Sequence, residues 1–180
     1  MTEDAVAALR AGRAVILPTD TVYGLCVRPE HADVLYELKG RDRSKPVALL
    51  AAEVGALVAV VPGLDPSVLG RYLPGPYTLV FGDVGVRVPN LPPGADAVVR
   101  AVGVVAATSA NRSGGPDPRR VEDIPEELRA ACGAIVDAGE LPGVPSTVID
   151  LTGEKPRILR EGALPAEEAL RRLDAAVRSG

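Results

Sequence analysis

Short apolar runs alternate along the chain with polar segments rich in glycine and proline, and apolar stripes at helical spacing lie between them. Residues 14–17 and 47–51 are continuous apolar runs too short for helices, so they predict buried strands, the first ending at Pro18. Residues 77–81 and 84–88 flank a Gly82-Asp83 turn and predict an antiparallel pair. Residues 148–151 and 157–159 predict a second pair, and further strands are expected at 104–107 and 134–137. Thr2 suits a helix cap, Glu3 and Asp4 a first turn and Gly12 an end, which predicts a helix over 2–11. Val34, Leu35 and Leu38 share one face of a helix predicted over 32–39, stopped by Gly40. Short helices are expected at 54–60, 66–72 and 96–101, a longer one at 122–132, and a closing amphipathic helix at 165–178. Residues 112–120 and 140–145 read as loops.

Helices and strands alternate, yet two strand pairs look antiparallel. The pattern predicts an α/β protein with a mixed sheet. No internal repeat or composition shift marks a boundary, so residues 1–180 are expected to form a single domain.

Composition narrows the function. A chain of 180 residues, 47% hydrophobic and 24% charged, has the make-up of an ordered globular domain. No apolar run reaches the roughly 18–20 residues of a membrane helix, and the acidic N-terminus lacks the features of a signal peptide. A cytoplasmic protein without membrane association is expected. A net charge of −4, 3% aromatic residues and no Trp disfavour a protein that grips nucleic acid through phosphates or stacked bases. Cys26, Cys132 and the lone His31 cannot make a tetrahedral zinc site by themselves. No disulfide is expected in a reducing cytosol. Carboxylate-held Mg²⁺ bound together with a phosphate stays allowed. His31 reads as a surface or capping residue and Cys26 as a small packing residue.

Candidate chemistry collects in five segments at strand ends and in loops, where α/β folds carry function. Residues 18–25, PTDTVYGL, bring two hydroxyls and Asp20 just after a strand; a turn using them to satisfy its own backbone is the plainer reading. Residues 39–46, KGRDRSKP, hold Lys39, Arg41, Arg43 and Lys45, either a phosphate clamp or a solvated loop. Arg87 interrupts an apolar strand and, if buried, needs an anion: Asp83, another carboxylate or a substrate carboxylate; strand alternation could equally turn it to solvent. Residues 107–115, ATSANRSGG, offer hydroxyls, Asn111 and backbone N–H groups to an anion, without a Walker A or GxGxxG pattern. Residues 146–162 carry Ser146, Thr147 and Arg160, with Asp150 and Arg160 able to pair across a hairpin. No Ser-His-Asp or Cys-His system is evident, which leaves a site suited to positioning and charge neutralisation.

Taken in order, PTDTVYGL, K-x-R-x-x-x-K-P, LPGPYTLV, VRVP, TSANRSG, STVIDL and ILREG resemble the YrdC-like family of threonylcarbamoyl-AMP synthases, over about residues 14–162. The resemblance implies an open twisted mixed sheet of the YrdC/RibB type flanked by helices, with a concave cationic face. It implies that L-threonine, bicarbonate or CO₂, and ATP are converted to threonylcarbamoyl-AMP and pyrophosphate, with Mg²⁺ accompanying ATP and no protein ligand for it named. Downstream threonylcarbamoyl-transfer proteins would then modify an adenosine beside the anticodon of tRNA, so that tRNA is an indirect partner. By motif position, Thr21, Arg87 and Ser146 are implied threonine ligands, with Arg87 on the carboxylate. Lys39, Arg41 and Lys45 are implied ligands of the ATP phosphates and the carbamate. Ser109, Asn111 and Arg160 are implied adenylate ligands. The chain departs from the family pattern at Leu50, where many longer relatives have His, and at Thr108, where many have Pro. The resemblance is to the short form of the family, so the extra C-terminal domain of the long members is not expected. A carbamoyl-adenylate-handling domain and a non-catalytic RNA-binding module are the alternatives on the same fold.

Overall fold

The computed structural model describes residues 1–40, 42–43 and 46–177, with side chains to residue 171. Among the described residues nine strands form one sheet: β1 (Val15–Pro18), β2 (Tyr23–Val27), β3 (Ala48–Leu50), β4 (Tyr77–Phe81), β5 (Val84–Arg87), β6 (Val105–Ser109), β7 (Ala134–Ile135), β8 (Thr147–Asp150) and β9 (Arg157–Arg160). Their order is β7-β1-β2-β6-β3-β5-β4-β8-β9. β1/β7, β3/β5 and β4/β8 are parallel and the other pairs antiparallel, so the sheet is mixed, open and flanked by helices as expected.

Among the described residues seven α-helices pack on it: α1 (Thr2–Arg10), α2 (Asp33–Lys39), α3 (Val54–Val60), α4 (Pro66–Leu69), α5 (Pro93–Val102), α6 (Glu126–Ala131) and α7 (Ala166–Val177). None of them is long and apolar enough to cross a membrane. Strand alternation sends Ile16 to one face and Val15 and Leu17 to the other. On the first face Ile16, Tyr23 and Leu25 meet Leu35 of α2 and Leu128 of α6, while Leu79, Val86 and Ile149 meet Leu57 of α3, Leu69 of α4 and Ala169 of α7. Leu49 of β3 joins both clusters. On the second face α1 and α5 pack over Val15, Leu17, Cys26, Leu50 and Val105. The rest of that face, floored by Gly24, Ala48, Gly85 and Ala107, lines a cavity of about 550 Å³.

Three expectations change. Residues 18–25 were read as a turn after a strand, but Tyr23–Val27 is a buried strand that returns along β1, with Val15 opposite Cys26 and Pro18 opposite Tyr23. Thr2 lies inside α1 and caps nothing; Met1 is the N-cap residue and makes no side-chain cap bond. The single helix expected over 122–132 is a 3₁₀ turn (Val121–Asp123) followed by α6, because Pro125 lacks an N–H and forces Ile124 to extended geometry (φ −78°, ψ 129°).

Candidate active site

The β1–β2 turn is knotted by its own hydroxyls. Thr19 Oγ1 accepts from the backbone N–H of Thr21 and Val22, both at 3.2 Å, and donates to Val22 O at 2.7 Å. A hydroxyl has one proton. With that of Thr19 given to Val22, Thr21 must be the donor in the 2.9 Å contact between the two hydroxyls. Thr21 Oγ1 then accepts from Arg87 Nη2 at 2.7 Å. Thr21 is fully buried behind Arg87, and Thr19 lines the cavity in its place.

Arg87 is buried, at 8% exposure, and reaches the cavity from the end of β5. Its anionic partner is Asp20, whose Oδ1 accepts from Nη2 at 2.5 Å; the Asp83 considered from sequence lines another part of the cavity. Asp20 Oδ2 accepts from the Asn90 N–H at 2.9 Å. Burial pushes the Arg87 pKa below its ordinary value, Asp20 opposes that shift, and the nearby charge of Arg160 adds to it. Arg87 and Arg160 are thus near neighbours on a cavity wall that also carries Arg157 and the carboxylates Asp83, Asp117 and Asp150.

Ser146 enters from the start of β8, and its hydroxyl lies 2.8 Å from Thr78 Oγ1 on β4. The strap before it is tied down in turn. Tyr23 OH, which receives the Ala138 N–H, contacts Asp137 Oδ1 and Gly139 O, and Glu140 pairs with Arg119 and Arg120. The Gly143 N–H donates to Thr21 O at 2.8 Å. Arg160 closes the other side of Ser146. The Asp150–Arg160 pair considered from sequence does not form. An irregularity between Val148 and Ile149 sets Arg160 opposite Val148 and Arg157 opposite Asp150, and Arg157 makes the ion pair at 2.5 Å.

The third group fixes the turn after β6. Lys39 Nζ donates to Ser109 O at 2.5 Å and to Asn111 Oδ1 at 2.8 Å. Ser109 Oγ also donates to Asn111 Oδ1, at 2.7 Å, and Asn111 Nδ2 donates to Gly115 O at 2.6 Å. Lys39, read from sequence as a phosphate ligand, is 3% exposed and does not line the cavity; Ser109 does, and Asn111 stands behind it. Arg41 and Lys45 lie outside the described residues. Cys26 is fully buried, with burial pushing its thiol up to about 12, and it is not paired with Cys132.

From sequence, Asp20 and Thr19 were read only as residues of a turn satisfying its own backbone, which Thr19 does, and Thr78 carried no role. Thr78 had a legible signal, the alternation of Tyr77-Thr-Leu-Val-Phe81, which turns it away from the core residues Tyr77 and Leu79. Asp20 had none, since its partner is 67 residues away.

A mixed sheet with one half-covered face, and a cavity on that face lined by guanidinium groups, carboxylates and hydroxyls, defines an α/β domain with a polar pocket on its sheet. The Sua5_yciO_yrdC family model, described as telomere recombination, matches residues 7–162, and the chain belongs to this family. It is 34% identical over 184 residues to a relative from Mycobacterium tuberculosis, covering 91% of this chain and 84% of that one. It is 32% identical over 187 residues to the threonylcarbamoyl-AMP synthase of Bacillus subtilis, covering 91% of this chain and 54% of that one. The crystal structure of Pyrococcus abyssi Sua5 complexed with L-threonine superposes with a TM-score of 0.86 at 32% identity, over 96% of this chain and 57% of that chain. The chain thus spans little more than half the length of these last two.

Proposed function

We propose that the protein is a threonylcarbamoyl-AMP synthase, a nucleotidyltransferase that joins L-threonine, CO₂ or bicarbonate, and ATP. The observation that carries this reading is Arg87: a buried guanidinium at the cavity wall, beside Arg160 and close to hydroxyl-bearing residues, in a chain whose relatives bear that name. A cavity of about 550 Å³ falls within the roughly 300–1,000 Å³ of small-molecule sites.

In this reading the threonine carboxylate sits on Arg87, with Thr21 behind it orienting the guanidinium. Ser146, paired with Thr78, faces the rest of the amino acid. Ser109 and the Asn111 turn take the adenylate, helped by Arg160, and Lys39 holds that turn in shape while adding positive potential. Arg41 and Lys45 are assigned to the phosphates on motif position. The amine adds to CO₂ and loses a proton, giving a carbamate. A carbamate oxygen then attacks the α-phosphorus, forming the new P–O bond, and pyrophosphate leaves with the electron pair of the bond that breaks. Bringing three reactants together in line is worth up to roughly 7–11 kcal/mol of barrier as effective molarity. Among the described residues no cluster of three His, Cys, Asp or Glu side chains could hold a metal ion. Mg²⁺ would therefore arrive on the ATP phosphates, and the roles given to these residues do not depend on it. The product passes to threonylcarbamoyl-transfer proteins acting on tRNA in the cytoplasm.

Pyrophosphate release from ATP tests this. Release that needs both L-threonine and bicarbonate is expected. Release with neither, or with carbamoyl phosphate instead, would move the protein to another adenylate chemistry.

A further inference from the structure

Arg87 is gripped at one end only. Its Nη2 donates to Asp20 Oδ1 and Thr21 Oγ1, while its Nε is buried with no hydrogen-bond partner. The Asp20 carboxylate is itself held twice, by Arg87 through Oδ1 and by the Asn90 N–H through Oδ2. Asp20 therefore joins the β1–β2 turn to the chain just past β5, and a shift of either segment moves the guanidinium. Arg87 lines the cavity and Asp20 does not. The carboxylate is thus no part of the cavity wall to which Arg87 contributes.

We infer that Asp20 is the positioning residue of the amino-acid site, holding Arg87 at one Nη so that the remainder of the guanidinium stays aimed at the carboxylate of the substrate. The inference rests on the reading that Arg87 takes that carboxylate. Asp20 is the carboxylate paired with Arg87, while Arg160 and Arg157 share the cavity wall with Asp83, Asp117 and Asp150. Were Asp20 only a counter-charge, removing it would add one net positive charge beside the cavity, and anionic ligands would bind more tightly. A positioning role predicts the opposite, because an untethered guanidinium must be ordered by the ligand itself.

The two ideas separate on one substitution. Wild-type protein is titrated calorimetrically with L-threonine and with L-threoninol, which lacks the carboxylate, and pyrophosphate release is followed in parallel. Binding of threonine and not of threoninol is expected. In Asp20→Asn the threonine KM should rise on the order of tenfold to a hundredfold, as for a misplacement of about 1 Å, with the ATP KM unchanged. Asp20→Glu keeps the charge but moves it by about one C–C bond, roughly 1.5 Å, and should fall between the two. Threonine binding in Asp20→Asn that is equal to or tighter than wild type overturns the inference alone. So does an equal rise in both KM values, which marks a merely structural role. No threonine binding by wild type overturns the assignment of Arg87 and the inference with it. If circular dichroism shows Asp20→Asn unfolded, Asp20→Glu decides: weakened threonine binding in a folded protein supports positioning, and unchanged binding overturns it.

Discussion

Arg160 grips Ser146 by three hydrogen bonds: Nε and Nη2 reach its carbonyl oxygen at 3.2 and 2.8 Å, and Nη2 reaches its hydroxyl at 3.2 Å. The guanidinium fork thereby links the last residue of β9 to the mouth of β8. A lysine offers one nitrogen instead of a fork, so it cannot reproduce the paired Nε and Nη2 bonds to the carbonyl. Arg160→Lys is expected to lower kcat/KM for ATP by about tenfold, the scale of one charged hydrogen bond. Arg160 is exposed, so the melting temperature should hold, within about 0.5 kcal/mol of wild type. Steady-state kinetics and a thermal melt check the two halves.

Removing Arg87 has a larger and different effect. The Arg87 and Asp20 side chains are only 10% and 13% exposed, so Arg87→Ala strands a carboxylate. A loss of about 3–5 kcal/mol is expected, with the threonine requirement raised far more than that for ATP. The double variant Arg87→Met/Asp20→Asn should recover much of the stability and none of the activity. Denaturant titration beside kinetics separates the pair's structural part from its binding part.

Gly162 explains the glycine of the ILREG segment by space. A Cβ there would lie 2.2 Å from Pro145 O and 2.6 Å from the Ser146 carbonyl carbon, which are backbone atoms that cannot rotate aside. Gly162→Ala should destabilise by about 1–3 kcal/mol and push the tail of β9 off Ser146. Activity should fall with the melting temperature; a variant that melts as wild type would mean the two segments separate freely.

Lys39→Met replaces a buried donor with an apolar chain of similar length. Ser109 O and Asn111 Oδ1 then each lose a donor, at a cost of about 1–3 kcal/mol. The ATP KM should rise as the turn loosens, with the threonine KM little changed. A threonine KM that rises equally would take Lys39 out of the nucleotide half of the site.

Tyr23 makes the fold sensitive to alkali. Burial pushes its hydroxyl up to about 12, the Ala138 N–H pulls it down, and the Asp137 carboxylate adds to the rise. The folded state thus holds this proton more tightly than the unfolded chain, whose tyrosine titrates at about 10. The stability linked to it is fully present below pH 10 and is lost as the pH climbs toward about 12. Tyr23→Phe should flatten that loss in a denaturation series between pH 8 and 12. It should also lower stability at neutral pH, because it frees the strap that leads to Ser146.

Most of the sheet was legible from its apolar runs. Residues 14–17, 47–51, 77–81 and 84–88 lie on β1, β3, β4 and β5 because short buried runs bounded by glycine and proline have few other ways to satisfy their backbone. β2 escaped because its polar lead-in drew the whole segment into a loop, although Val22–Val27 is apolar at every position but Gly24. Helix ends shifted where proline, which acts on its own neighbours, sits: Pro125 split one helix and Pro93 opened α5 ahead of the expected Asp96.

The motifs themselves, and hence the family, were determined by the sequence, since spacing along the chain is a one-dimensional property. So were the residue types of the site: cations, hydroxyls and one Asn, without a nucleophile system. Tertiary structure alone decided who holds whom. Strand order brings Asp20 to Arg87 across 67 residues and Lys39 to Asn111 across 72, and a single irregularity in β8–β9 gives Arg157 to Asp150 and Arg160 to Ser146. Partners so distant in sequence leave no periodicity to read. Which oxygen accepts from which guanidinium depends on register and twist, and both are set only when the whole sheet packs against its helices.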